Sequence, residues 1–252
     1  MDELIDLSKT KLETEGKDAV TTLCKALLDT LDPGLKSITI YGSAVGKRYR
    51  PGKSDINLLV VLDHIDVPIL KSVVEPVAQA RRYGIAPFFI TEVNLLSSTD
   101  VFPVKFLTMK ESYRVLWGQD LVGKLEISRE HLRLRCEQEF KNLLLRLRWI
   151  FLKQNGRGLT ETMSRRIVGF LANLRMVLTL VPKPQGVGDK VIDAAAKVFE
   201  IDGDVLRRVI ALKDIEVSLP REDEENLYDQ FMAIVYKVAQ KTSRMEITGD
   251  QN

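Results

Sequence analysis

The spacing of hydrophobic residues changes near residue 127, and this change predicts two differently built parts of the chain. Before that point, segments with helical spacing alternate with short apolar segments that have the period of β-strands. After it, apolar residues recur every three or four positions over long segments, which predicts helices. The pattern therefore predicts an α/β (α+β) domain over residues 1–126 and an all-helical domain over residues 127–252.

The first part is predicted to begin with a helix and two strands. Helical spacing runs from Lys17 to Leu31 and ends at Asp32–Pro33–Gly34, where proline cannot continue a helix. Ser37–Tyr41 alternates and is rich in β-branched residues, whereas Ile56–Leu62 is apolar on both faces, as expected of a central buried strand. The remaining predicted elements are a helix over 69–83 and strands over 86–91 and 103–108. We therefore expect a short mixed sheet with flanking helices.

The second part is predicted to contain only helices. A long amphipathic helix follows Ile127, and further helices are predicted over 160–180, 190–199, 204–213 and 223–241. Arginine is frequent on these helices, at positions 133, 135, 146, 148, 165, 166 and 175. Two interpretations stay open, a basic surface that faces a ligand and ordinary solvated helix faces.

Composition and charge narrow the classes of partner and compartment. The formal net charge is only +2, so composition gives no support for nucleic acid as a partner. The two cysteines, Cys24 and Cys136, form no zinc or disulfide pattern, and we expect both to be buried on helices. The N-terminus is acidic without an apolar signal core, and no apolar run is long enough for a membrane span. We therefore expect a soluble cytoplasmic protein with no membrane partner.

The segment between the first two strands carries the candidate chemistry. Gly42–Ser43 ends the first strand, and Ser54–Asp55–Ile56–Asn57 opens the second. A glycine directly after a strand lets a phosphate approach the backbone, and Ser43 adds a hydroxyl donor. Residues at i and i+2 of a strand point to one face, so oxygen ligands at Asp55 and Asn57 could share a Mg²⁺ ion.

The loop between these two motifs is basic. It places four cations beside the Gly–Ser turn and offers Tyr49 for stacking on a base. The predicted nucleotide-binding residues are Gly42, Ser43, Lys47, Arg48, Arg50, Lys53 and Ser54. The alternative is a solvated loop that contacts no ligand.

This arrangement resembles the nucleotidyltransferase superfamily, which includes small bacterial adenylyltransferases and antibiotic nucleotidyltransferases. The family pattern is a strand that ends in Gly-Ser, followed by Ser-Asp-(apolar)-Asp at the start of the next apolar strand. The resemblance covers roughly the N-terminal half of the chain. It implies a nucleoside triphosphate as ligand, Mg²⁺ as cofactor and transfer of a nucleoside monophosphate to a hydroxyl group.

Two of the three acids that the resemblance implies are absent. Asn57 stands where the family has aspartate, and its neutral amide removes one negative charge from the site. The third acid is implied on a later strand. It falls at Lys105 if that strand is 103–108, and among Phe88 and Phe89 if it is 86–91. The catalytic positions implied by the resemblance are thus Asp55, Asn57 and Lys105, and only Asp55 is a metal-binding carboxylate.

We therefore interpret the chain as a nucleotidyltransferase-like protein with little or no activity, a pseudoenzyme that acts as a nucleotide-binding or regulatory module with weak or absent Mg²⁺ binding. Two alternatives stay open. One is an active Mg²⁺-dependent nucleotidyltransferase that modifies a protein, an RNA or a small molecule. The other is a non-catalytic scaffold that binds a protein partner or a second copy of the chain.

Overall fold

The computed structural model describes residues 5–46, 49–182, 191–214 and 219–247. The chain divides into two compact units, Met1–Ile127 and Ser128–Asn252. Among the helices that are described, none is both long enough and apolar enough to cross a bilayer.

The first unit is a four-stranded mixed sheet with helices on both faces. Its strand order is β3-β2-β1-β4, in which β1 is antiparallel to both of its neighbours and β2 is parallel to β3. In chain order the elements are α1 (Thr14–Leu31), β1 (Leu35–Tyr41), a 3₁₀ turn (Gly42–Ala44), β2 (Ile56–Leu62), α2 (Val67–Ser72), α3 (Val74–Arg81), β3 (Ile85–Thr91), α4 (Glu92–Ser97), α5 (Pro103–Glu111) and β4 (Tyr113–Gly118). The predicted mixed sheet with flanking helices is confirmed.

Alternate residues of β2 belong to two different hydrophobic clusters, one on each face of the sheet. Leu58 and Val60 pack in the cluster that contains α1 and α3, whereas Leu59 and Val61 pack in the cluster that contains α4 and α5. Since side chains alternate along a strand, Asn57 faces the same side as Leu59. Asn57 therefore lies on the sheet face that α4 and α5 cover. These helices cover that face farther along β2, at Leu59 and Val61.

The prediction of a strand over 103–108 is wrong, because this segment lies in helix α5, Pro103–Glu111. A proline at the first helical position loses no hydrogen bond and already has a helical φ. Every third residue from Pro103 to Met109 is buried, which is the spacing of one helix face. The fourth strand is instead Tyr113–Gly118, and Lys105 lies on a helix.

The prediction of one helix over 69–83 is also wrong, because this segment belongs to two short helices, α2 and α3, which meet at Val73. The first of them begins at Asp66, whose carboxylate accepts a hydrogen bond from the N–H of Ile69 at 2.9 Å. Such a cap satisfies one of the free N–H groups at the start of a helix. Pro76 lies in the first turn of α3, where proline is tolerated, and therefore does not kink a longer helix.

The second unit is helical, as predicted. Its helices are α6 (Arg129–Lys153), α7 (Leu159–Leu178), α8 (Val191–Phe199), α9 (Gly203–Ala211) and α10 (Arg221–Ser243). The rings of Phe140, Phe170 and Phe231 form a central contact, with ring centroids 5.6 Å apart in both pairs. The hydroxyl of Tyr228, which is fully buried, donates to the carbonyl of Leu147 at 2.7 Å. Both cysteines are buried on helices, as predicted.

One arginine is part of the interior of this second unit. Arg133 is only 8% exposed, and its guanidinium donates to the carboxylates of Glu130 and Glu137 at 2.7 Å each and to the carbonyl of Thr242 at 3.2 Å. The hydrogen bond from Arg133 lowers the pKa of Glu130. Arg133 therefore joins α6 to the end of α10 and does not belong to a basic surface.

Candidate functional site

The turn after β1 is built around Gly42. Its φ is +77°, a left-handed conformation that glycine adopts without steric cost. Its N–H donates to the carbonyl of Ser112 at 2.7 Å, and its carbonyl accepts from the N–H groups of Val45 and Gly46 at 3.2 and 3.0 Å. A Cβ atom at Gly42 would lie 3.5 Å from Nδ2 of Asn57. The turn therefore lies directly beside the start of β2.

Ser43 carries the accessible donors of this turn, whereas the adjacent Ala44 is fully buried in the cluster that contains α1 and α3. The N–H groups of Ser43 and Ala44 donate to no acceptor among the described residues. The hydroxyl of Ser43 likewise has no hydrogen bond to the described part of the chain, and its residue is half-buried. The N–H and the hydroxyl of Ser43 are two donors on one residue, and such a pair suits an anionic oxygen.

A second turn positions Asp55 at the start of β2. The N–H of Arg50 donates to the hydroxyl oxygen of Ser54 at 3.1 Å, and the N–H of Ser54 donates to the carbonyl of Arg50 at 2.9 Å. The next residue, Asp55, is exposed and has no ion pair with any described residue. Its carboxylate is therefore available to a ligand, whereas the hydroxyl of Ser54 already accepts a hydrogen bond within the turn.

The basic loop is described only in part. Arg50 and Lys53 are exposed, whereas Lys47 and Arg48 lie outside the described residues. Tyr49, which we expected to stack on a base, packs against the cluster of α1 and α3, on the sheet face opposite Asn57. This burial raises the pKa of Tyr49. Tyr49 thus contacts the protein core, and its stacking on a base stays a prediction.

Strand β3 lies parallel beside β2 and contributes no carboxylate to the face of Asn57. The register pairs Asn57 with Ala86. The residues of β3 that face the same side are Ala86, Phe88 and Ile90, and all three are uncharged. Glu92 comes six residues after Ala86, which places it about 20 Å farther along the sheet at about 3.3 Å per residue. It cannot complete a site at the start of β2.

Lys105 reaches this sheet face from α5. Its Nζ lies 3.3 Å from the centroid of the Phe88 ring, a cation–π contact. The partial burial of this ammonium lowers the pKa of Lys105. Among the described residues it has no carboxylate partner. Phe88 lies one strand across and two residues along from Asn57, a separation of about 8 Å between their backbones.

One residue at this end of the sheet was not predicted from the sequence. Tyr41 is the last residue of β1, and it pairs with Asn57 on one side and with Tyr113 on the other. Its ring packs at the edge of the α4–α5 cluster, and burial raises its pKa. The signal was present in the sequence, because two antiparallel strands joined by a loop bring the last residue of one beside the first residues of the next.

These residues differ from the set of three carboxylates that the resemblance implies for a magnesium site. No group of three or more histidine, cysteine, aspartate or glutamate residues that could hold a metal ion occurs within the described ranges. Mg²⁺ in nucleotide sites is held by one or two carboxylates together with phosphate oxygens, and here Asp55 offers one carboxylate and Asn57 a neutral amide. The charged group that lies over the adjacent strand is the ammonium of Lys105, which repels a divalent cation.

A large groove lies elsewhere in the first unit. It has a volume of about 740 Å³ and runs between α1 and α3, with Glu15, Asp18 and Tyr83 among its lining residues. It contains none of the predicted site residues, and its helices cover the sheet face opposite Asn57. The volume of this groove therefore does not identify it as the predicted nucleotide site of the first unit.

The chain has a nucleotidyltransferase-like fold, with a small mixed sheet, flanking helices and a helical C-terminal region. It is similar to the crystal structure of spectinomycin adenyltransferase AAD(9) from Enterococcus faecialis with ATP and spectinomycin, with a TM-score of 0.51 and 14% sequence identity. The similarity covers 88% of this chain and 98% of that chain. No family model and no curated protein matches the chain. At this level of identity the similarity establishes the fold alone.

Proposed function

We propose that this protein binds a nucleoside triphosphate at the Gly42–Ser43 turn and acts as a nucleotide-binding or regulatory module with little or no nucleotidyl transfer. The observation that carries the proposal is a turn in which the N–H and hydroxyl of Ser43 have no partner among the described residues, beside a strand start that has a single carboxylate, Asp55. These two donors suit a phosphate, and two of the three carboxylates that the resemblance implies are absent.

Binding is supported by the position of the turn and by its surroundings. Gly42 has no side chain, so a phosphate can approach the N–H and hydroxyl of Ser43 closely. Arg50 and Lys53 lie on the adjacent loop and are exposed, so they add positive charge near the phosphates. The structural neighbour, the spectinomycin adenyltransferase, was crystallised with ATP, which supports a nucleotide as the ligand of this fold.

Weak or absent transfer is supported by the chemistry of the missing groups. Loss of the acid that activates an acceptor hydroxyl typically lowers the rate by ~10²–10⁴-fold. Loss of the carboxylates that hold the metal removes charge stabilisation of the transition state as well, at a cost of several kcal/mol as an order of magnitude. Positions 57 and 88 hold an amide and a phenyl ring, neither of which replaces these functions.

Calorimetry with ATP, GTP and CTP tests the proposal on the full chain, with Mg²⁺ and with EDTA. We expect one site, and Ser43→Ala should weaken binding by about 10-fold, since hydrogen bonds to charged groups contribute roughly 1.5–3 kcal/mol. Ser97→Ala is the matched control, because Ser97 is an exposed serine at the end of α4 with no hydrogen bond to the described residues. Absence of binding by all three nucleotides under both conditions would exclude the proposed function.

A second candidate is an active nucleotidyltransferase that uses Asp55 as its main metal ligand. It is favoured by the exposure of Asp55, which has no ion pair in the described part of the chain. Transfer of a labelled nucleotide to spectinomycin, to protein or to RNA tests it. Mg²⁺-dependent labelling that is lost in Asp55→Ala and retained in Asp100→Ala, a substitution of an exposed aspartate away from the turn, would establish this activity and replace the first proposal.

A further inference from the structure

Lys105 lies over the part of the sheet where the resemblance implies a carboxylate. The strand beside β2 is β3, and Phe88 is its residue on the face of Asn57, two positions beyond Ala86. The ammonium of Lys105 lies 3.3 Å from the centre of the Phe88 ring. The third acid that the resemblance implies aligns with either Lys105 or Phe88. Because these two side chains are in contact, both alignments place it at the same point of the sheet.

The surroundings of Phe88 favour a monovalent cation and disfavour a hydrated divalent ion. The ring packs against the apolar cluster that includes Leu59 and Leu95, and both of these residues are fully buried. A Mg²⁺ ion needs near-octahedral oxygen ligands and retains several waters, and this surface offers no oxygen ligand. An ammonium on a flexible stem can rest on the ring face and move from it toward an anion.

The net charge of the side chains at this end of the sheet also favours the ammonium of Lys105 over a divalent ion. Two carboxylates that hold one Mg²⁺ ion carry no net charge. The carboxylate of Asp55 and the ammonium of Lys105 also carry none, without any metal. Asp55 and Lys105 together thus have the same net charge as a metal-containing site. The exposed side chains of Arg50 and Lys53 add positive charge for the phosphates.

We propose that this site takes a nucleoside phosphate that carries no divalent cation, with Lys105 leaving the Phe88 ring to contact the phosphates in place of a metal ion. This inference rests on the proposed function, because it concerns the same site. An ammonium makes charge-assisted hydrogen bonds to phosphate oxygens, and these are stronger than its contact with the partly buried ring of Phe88. Excess Mg²⁺ then competes with the protein for the nucleotide.

The test is a calorimetric titration of ATP into the full chain, first in EDTA and then with Mg²⁺ in large excess over ATP. We expect binding in EDTA and an apparent affinity that falls when Mg²⁺ is added. Lys105→Met keeps the apolar stem and removes the charge, and we expect it to weaken binding in EDTA by about tenfold or more. Lys71→Met, on α2, is the matched control for net charge and should bind as the wild type does.

The possible failures are distinguishable. Binding that requires Mg²⁺ and is unchanged in Lys105→Met would overturn this inference and leave the proposed function in place. Absence of binding in both EDTA and Mg²⁺ would overturn the proposed function itself. If Lys105→Met does not fold, as judged by circular dichroism, the comparison of ATP binding in EDTA and in excess Mg²⁺ on the wild type tests the inference alone. Lys105→Arg keeps the charge, and we expect it to retain binding.

Discussion

Replacement of Gly42 by alanine should weaken nucleotide binding while costing only a modest part of the stability. Gly42 has a φ of +77°, and a Cβ atom in left-handed backbone costs roughly 1–2 kcal/mol. The added methyl group would meet Nδ2 of Asn57 at 3.5 Å, an ordinary van der Waals distance, so packing should add nothing to this cost. The methyl group would, however, lie beside the donors of Ser43.

Gly84→Ala provides the matched control for this substitution. Gly84 has a φ of +72°, and a Cβ atom there would meet no atom within 4 Å. The two variants should therefore lose similar stability, about 1–2 kcal/mol each. Only Gly42→Ala should also lose affinity, by about 10-fold or more if one hydrogen bond to a phosphate is lost.

Urea unfolding in a Trp149→Phe background measures the stability of the first unit. The chain has two tryptophans, and Trp149 is 58% exposed on α6, so its replacement should be tolerated. Trp117 remains and packs at the edge of the α1–α3 cluster, where its fluorescence reports on that unit. With an m-value of about 2 kcal/mol per molar urea, both glycine variants should lower the midpoint by about 0.5–1 M.

The binding arm of this experiment uses calorimetry with ATP in EDTA. Wild-type affinity in Gly42→Ala, together with the expected loss of stability, would refute the assignment of the phosphate to this turn. Equal loss of affinity in Gly42→Ala and Gly84→Ala would show that the effect comes from general loosening of the unit rather than from the turn.

Three further predictions concern stability. Gly118→Ala should be much more damaging than the other glycine variants, by more than about 3 kcal/mol in urea unfolding, because its Cβ atom would lie 2.2 Å from the carbonyl oxygen of Lys36. Arg133→Met should cost about 2 kcal/mol in the same assay, since it leaves buried acceptors unpaired. Because the pKa of Glu130 is lowered in the folded state, its contribution is present above its ordinary value of 4.5 and lost as the pH falls below it; the wild type should lose more stability than Arg133→Met between pH 5 and about pH 3. Tyr228→Phe should cost about 1–2 kcal/mol, because a buried carbonyl loses its only donor among the described side chains.

Several elements of the first unit follow from sequence pattern. Ser37–Tyr41 and Ile56–Leu62 were predicted as strands, and both lie in the sheet as β1 and β2. Their β-branched and continuous apolar character reflects burial between two layers of helices, so the local pattern carries the information. The helical second unit follows in the same way from long amphipathic segments.

The segment around Lys105 shows where such prediction fails. A short apolar run such as Val104–Leu107 fits a strand and a buried helix equally well when period alone is considered. The contact between Lys105 and Phe88 joins residues that are distant in sequence, and it depends on how α5 packs over the sheet. The position of Tyr49 against the α1–α3 cluster likewise depends on tertiary packing of a loop. These two contacts therefore could not be predicted from local pattern.

A crystal structure with ATP and Mn²⁺, collected at a wavelength where manganese scatters anomalously, tests the central claim most directly. We predict that the triphosphate contacts the N–H and hydroxyl of Ser43, that Lys105 has turned from the Phe88 ring to a phosphate oxygen, and that no manganese is bound by Asp55. A manganese ion bridging Asp55 and the triphosphate, with Lys105 still on the ring, would contradict this account.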